Sequence, residues 1–136
     1  MIFGYFYRMK LEIPYPELEL LIRELSKKPI SLRYEGNHKL EVNFMANVSL
    51  SVNKVYPHGV LLNYHTSGIV SMMISGMRGA IKKELEKVPP VSWLEDQRQL
   101  EVDLRKVPQL TNMLQHLQVT RCSFEENGLI LELSGT

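Results

Sequence analysis

The chain has 136 residues, 44% of them hydrophobic and 23% charged, which excludes wholesale disorder and predicts a single α+β domain over residues 1–136. Sixteen Lys and Arg nearly balance fifteen Asp and Glu, and this formal charge of +1 removes the main warrant for a dedicated, specific nucleic-acid binder. The lone cysteine, Cys122, excludes an intrachain disulfide framework and any multi-cysteine metal site.

Phe3, Tyr5, Tyr7, Met9, Leu11 and Ile13 alternate with Gly4, Phe6, Arg8, Lys10 and Glu12, the period of two that puts one strand face on a core. No basic residue precedes this apolar start and no small-residue cleavage site follows it, so it reads as a strand and not as a targeting peptide. A cytoplasmic location is the expectation; an envelope location follows if the chain is a piece of a longer precursor. No stretch offers ~20 uninterrupted apolar residues, so no transmembrane segment is expected.

Pro14 stops the first strand and Tyr15-Pro16 opens a helix, since proline is tolerated in a first turn. Leu18, Leu21, Ile22 and Leu25 form its apolar stripe, and Pro29 prevents its continuation. From 40 to 52 every even position is apolar: Leu40, Val42, Phe44, Ala46, Val48, Leu50 and Val52. A strand sorts that pattern onto two faces, whereas a helix would smear it. Such a strand would run ~43 Å at ~3.3 Å per residue. A compact domain of this size, with a radius of gyration near ~14 Å, is under ~40 Å across. The strand must therefore bend, around Met45–Asn47, or the molecule must be elongated. With hairpin turns at 35–38 and 56–59, three antiparallel strands over 30–35, 39–52 and 58–65 form a meander.

Thr66 or Ser67 caps a long helix that runs to Val88, where Pro89-Pro90 end it. Its first half is apolar on more than one side, with Ile69, Val70, Met72, Met73, Ile74 and Met77. Gly76 and Gly79 each cost ~0.5–1 kcal/mol relative to alanine, an expense that close packing or a function would offset. Val91 and Trp93 can pair with Val102 and Leu100, and Leu104 continues that second strand. Val107-Pro108 opens another short helix with Leu110, Met113, Leu114 and Leu117 inward. Asn127-Gly128 reads as a type I′ turn that sets Phe124 opposite Leu131 and Cys122 opposite Leu133. The predicted fold is α+β: one curved antiparallel sheet of about seven or eight strands, one long helix and two short ones, in the order β-α-β-β-β-α-β-β-α-β-β.

Chemistry-bearing motifs are lacking. His38, His58, His65 and His116 have no metal-ligand spacing, and Gly76-Met77-Arg78-Gly79 lies within a helix, so it is no phosphate loop. Ser67, Ser71 and Ser75 stand in no nucleophile elbow. No catalytic residue, metal or cofactor is expected, and the chain reads as a non-enzyme. Arg78, Lys82, Lys83 and Lys87 gather at one end of the long helix and read as a solvated basic face, with anionic lipid headgroups or nucleic acid as the alternative partners.

The strand 40–52, the helix 67–88 and the tail from Leu100-Glu101-Val102-Asp103-Leu104 to Leu129-Ile130-Leu131-Glu132-Leu133 resemble one half of the tubular lipid-binding (TULIP) superfamily. The tail is similar to the closing strands of its small bacterial, envelope-associated members. That resemblance implies a curved sheet wrapped around a helix, with a lipid or other apolar molecule in the groove between them. Phe44, Val48, Ile69, Met72, Met73, Ile74 and Met77 are the candidate groove residues, supplying apolar contact and no chemistry. The alternative is a homo-oligomeric assembly module without a small ligand, a homodimer formed through the same surface or through the aromatic first strand.

Overall fold

A computed structural model describes residues 8–44 and 46–135; Phe3, Tyr5, Tyr7 and Met45 lie outside it. The first strand, β1 (Arg8–Pro14), keeps the expected alternation, and α1 (Tyr15–Ser26) follows at once with Pro16 in its first turn. Lys27 takes a left-handed conformation and donates its N–H to the Arg23 carbonyl at 2.8 Å, which closes the helix.

The alternating run 40–52 is two strands, not one. β2 (Ser31–Gly36), β3 (Lys39–Phe44), β4 (Ala46–Tyr56) and β5 (Gly59–His65) make a four-strand meander where three were expected. The chain reverses between Phe44 and Ala46, pairing Val42 with Val48 and Leu40 with Leu50. Both arms pivot about one odd position, so even residues remain on the same face after the reversal. Parity alone cannot distinguish such a hairpin from a straight strand. Farther along β4 a register shift between Val52 and Lys54 leaves Asn53 as an extra residue, and the inward position passes from Val52 to Val55.

The long helix is also divided. Ser67 caps α2 (Gly68–Gly76) by accepting the Val70 N–H, but Met77 leaves helical geometry, with φ −109° and ψ 16°. α3 (Arg78–Glu86) resumes after it. Gly76 offers the least resistance to such a break. A Cβ added at Gly76 or Gly79 would meet no atom within 4 Å, so close packing is not what offsets these glycines.

β6 (Val91–Leu94) and β7 (Gln99–Asp103) pair as predicted, Val91 with Val102 and Trp93 with Leu100. Leu104 does not prolong β7; it begins a 3-10 turn. No α-helix forms over 107–117. Hydrogen bonds of three- and four-residue reach alternate there, from Leu110 and Thr111 to Val107 and from His116 to Met113, giving irregular turns and a 3-10 turn at Met113–Gln115. So short a segment gains little by helix propagation. Its apolar residues still point inward: Val107, Leu110, Leu114 and Leu117 are buried.

β8 (Leu117–Glu125) and β9 (Gly128–Gly135) form the closing hairpin, two residues out of the predicted register. Phe124 faces Leu129 and Cys122 faces Leu131, with Glu126-Asn127 at the turn. Gly128 is not a positive-φ turn residue. It sits opposite Pro14, where a Cβ would overlap the Ile13 carbonyl, so its role is to let β1 approach β9.

The described residues thus form nine strands and three α-helices in the order β-α-β-β-β-β-α-α-β-β-β-β. The architecture is α+β with antiparallel sheets, but there are two sheets instead of one: β1-β9-β8 and β2-β3-β4-β5-β7-β6. They pack through β8 against β4, and α1 covers β1, β9 and β2. Leu40, Leu131 and Leu133 are sealed at the centre of this core, with Val60, Leu62, Val119 and Phe124 around them. Among the described residues, no helix is long and apolar enough to cross a membrane.

Candidate functional site

The apolar face of β3 and β4 continues past the edge of the core. Leu40, Val42 and Leu50 belong to the core cluster; Phe44, Ala46 and Val48, on the same face, line a groove. They occupy an overhang. β2 pairs with β3 only as far as Asn43, and β5 pairs with β4 only from Ser49 onward. Among the described residues, the hairpin end therefore projects with no neighbouring strand on either side.

The opposite wall comes from α2 and α3. Val70, Met73, Ile74, Met77, Ile81, Leu85 and Val88 recur at helical spacing, and all face the groove. Ile30 completes the lining from the connection between α1 and β2. The space within this half-open groove is about 300 Å³, at the small end of the ~300–1,000 Å³ range of ligand pockets. Every lining residue except Ser26, Lys28 and Glu84 is apolar.

The charged exceptions answer one another. Lys28 Nζ lies 2.8 Å from Glu84 Oε2, joining the body to α3 across the groove, and 6.0 Å from the centre of the Phe44 ring. Lys87 Nζ reaches the other carboxylate oxygen at 3.3 Å. Lys28 first, then Lys87, holds the Glu84 carboxyl below the usual carboxylate range. Ser26 is occupied locally: its hydroxyl donates to the Ile22 carbonyl and accepts the Lys28 N–H.

Five of the seven predicted groove residues converge here: Phe44, Val48, Met73, Ile74 and Met77. Ile69 and Met72 do not. Each is 76% exposed, because a helix turns ~100° per residue and each sits one position before a lining residue. The reading also missed Val70, Ala80, Ile81, Leu85 and Val88, although the stripe that marks them is plain in the sequence.

A polar cleft of about 510 Å³ lies on the other flank of α3. Arg78 Nε meets Glu95 Oε1 there at 2.5 Å, tying α3 to the turn after β6. Trp93, in the same cleft, donates its Nε1–H to the Tyr64 hydroxyl at 3.0 Å. A further polar cluster, invisible to sequence spacing, joins the two sheets. His38 Nδ1 stands 2.9 Å from Glu125 Oε2 and 3.2 Å from the Phe124 carbonyl, while the Ser123 hydroxyl donates to that same Glu125 oxygen at 2.6 Å. Serine and histidine share a carboxylate and do not contact each other as a nucleophile and base would, so the cluster is a clasp. The Ser123 hydrogen bond, opposed by partial burial and helped by His38, keeps the Glu125 carboxyl below its ordinary range. The Tyr15 hydroxyl donates to the Glu125 carbonyl at 2.5 Å, and burial leads in pushing its pKa up to about 12. Cys122 faces the core, and burial pushes its thiol up to about 12, which leaves it inert.

No protein-family model, curated protein or solved structure matches the chain. The groove's own geometry has to carry the functional argument.

Proposed function

We propose that this protein is a non-enzymatic binder of an apolar or lipid-like molecule, held in the groove between the α2–α3 arm and the β3–β4 overhang. One observation carries the reading: about 300 Å³ of space walled almost wholly by hydrocarbon and thioether side chains. Such surface is costly to leave in water, and an apolar guest removes it from water on both sides. Methionine suits that role because its flexible, polarizable side chain fits irregular shapes. The Lys28–Glu84 pair at the groove gives an amphiphile's polar end a place to stop. This reading agrees with the ligand class implied by the TULIP resemblance but does not need a sheet wrapped around a helix. The polar side chains at the groove favour binding over catalysis, since Ser26 is engaged with its own backbone and Lys28 with Glu84.

Native mass spectrometry of the purified protein, followed by solvent extraction, tests the proposal. An added mass that extracts as an acyl-chain compound is expected. Met73→Asp removes that mass while the protein stays folded, because Met73 is 45% exposed and belongs to no sealed core. Protein that takes up neither endogenous lipid nor added dodecanoate overturns the reading.

A further inference from the structure

Two ammonium groups answer a single carboxylate at the groove. Lys28 lies against one oxygen of Glu84 and Lys87 against the other, so the trio carries one positive charge in excess. Among the described residues of the wall, Lys28 and Glu84 are the charged members, and none supplies the balance. Arg23, which donates to the Ile30 carbonyl, is matched by Glu19 and adds nothing to the sum.

Lys28 is the under-used partner. Its Nζ stands 2.8 Å from Glu84 Oε2 but at an angle outside hydrogen-bond geometry, and that oxygen accepts from no donor among the described residues. The ammonium thus makes a charge contact there without committing a directed N–H, and it carries three. Its side chain is 34% exposed and borders the apolar wall, with the Phe44 ring beside it. Glu84 Oε2, by contrast, is buried.

We infer, resting on the groove reading above, that the guest is a single-chain amphiphile with an anionic head, a carboxylate or a phosphate. The head accepts hydrogen bonds from Lys28, and the chain lies along Phe44, Met73 and Met77. A cationic head would have to displace Lys28 to reach Glu84 Oε2, and it would add to the excess positive charge. A neutral hydroxyl would accept from Lys28 but leave that charge standing. An anionic head offsets the charge and takes up the donors, through charge-assisted hydrogen bonds about twice as strong as neutral ones. Partial burial strengthens the contact relative to open water. One chain suits a space of about 300 Å³.

The test is titration calorimetry of delipidated protein with decanoate, monodecyl phosphate, 1-decanol and decyltrimethylammonium, ligands that share a chain and differ in the head. One or both anions should bind about fivefold more tightly than 1-decanol at low salt, and the cation should bind most weakly. Lys28→Gln should bring the anions down to the level of 1-decanol, whose own binding reports that the groove is intact. Glu84→Gln removes the competing carboxylate and should widen the preference for the anions over 1-decanol. Anions and 1-decanol bound equally by the wild type, a cation bound most tightly, or a preference for anions that survives Lys28→Gln unchanged would each overturn the inference. Any of these would leave the groove reading standing. Binding of none of the four would remove both.

Discussion

The two-sheet body and the α2–α3 arm are built on opposite terms. In the body, Leu40, Leu131 and Leu133 are at most 2% exposed, and core residues arrive from both sheets and α1. In the arm no residue is buried at all. Apolar residues are abundant in both, so composition does not separate them; what separates them is whether the hydrocarbon meets other protein. Stability is concentrated in the body, and the arm belongs to the low-stability end of the molecule, from which binding elements are drawn.

The contrast breaks most visibly if truncation costs the same in both regions. Leu131→Ala should lower unfolding free energy by about 2–5 kcal/mol in urea titrations, as for other sealed leucines. Met73→Ala should cost under about 1 kcal/mol, because its surroundings are already open. Similar losses would mean that the arm is part of the core. A smaller effect sharpens the contrast from the other side: Gly79→Ala fills open space in a helix and should stabilise it by about 0.5–1 kcal/mol. Hydrogen exchange should show slower opening over 78–86 and unchanged protection in β5, β8 and β9.

The smallest expected effect concerns the clasp that closes the body. Glu125 has a folded pKa below its unfolded one, so its contribution is present above the ordinary carboxylate range and lost as pH falls through the folded value. Glu125→Gln should therefore lower stability relative to wild type at about pH 7, and the difference should shrink as pH falls below the ordinary carboxylate range in paired urea titrations.

Local patterns were legible wherever the structure depends on neighbours in the chain. Pro16 at the start of α1, the Ser67 cap and the pairing of Trp93 with Leu100 followed from spacing and residue chemistry. The failures share a physical origin. Gly128 resembles a turn glycine, but its purpose is the distant Ile13 carbonyl, which no local pattern contains. The reversal between Phe44 and Ala46 preserves parity and so leaves no mark in the alternation; only the excess length of a 13-residue strand hinted at it. At Met77 the break has no proline, and Gly76 alone signalled it. The groove was half legible for a related reason. Apolar stripes tell which residues want partners, but choosing the flank, Val70 and Met73 against Ile69 and Met72, needs the position of the opposing wall.

That wall is a ribbon two strands wide, clamped at one end. A plank fixed this way resists bending less than a full slab does, and its free end carries Phe44 across the groove from Met73 and Met77. Any bending of that free end would reshape the groove without reaching Leu40, which lies behind the clamp.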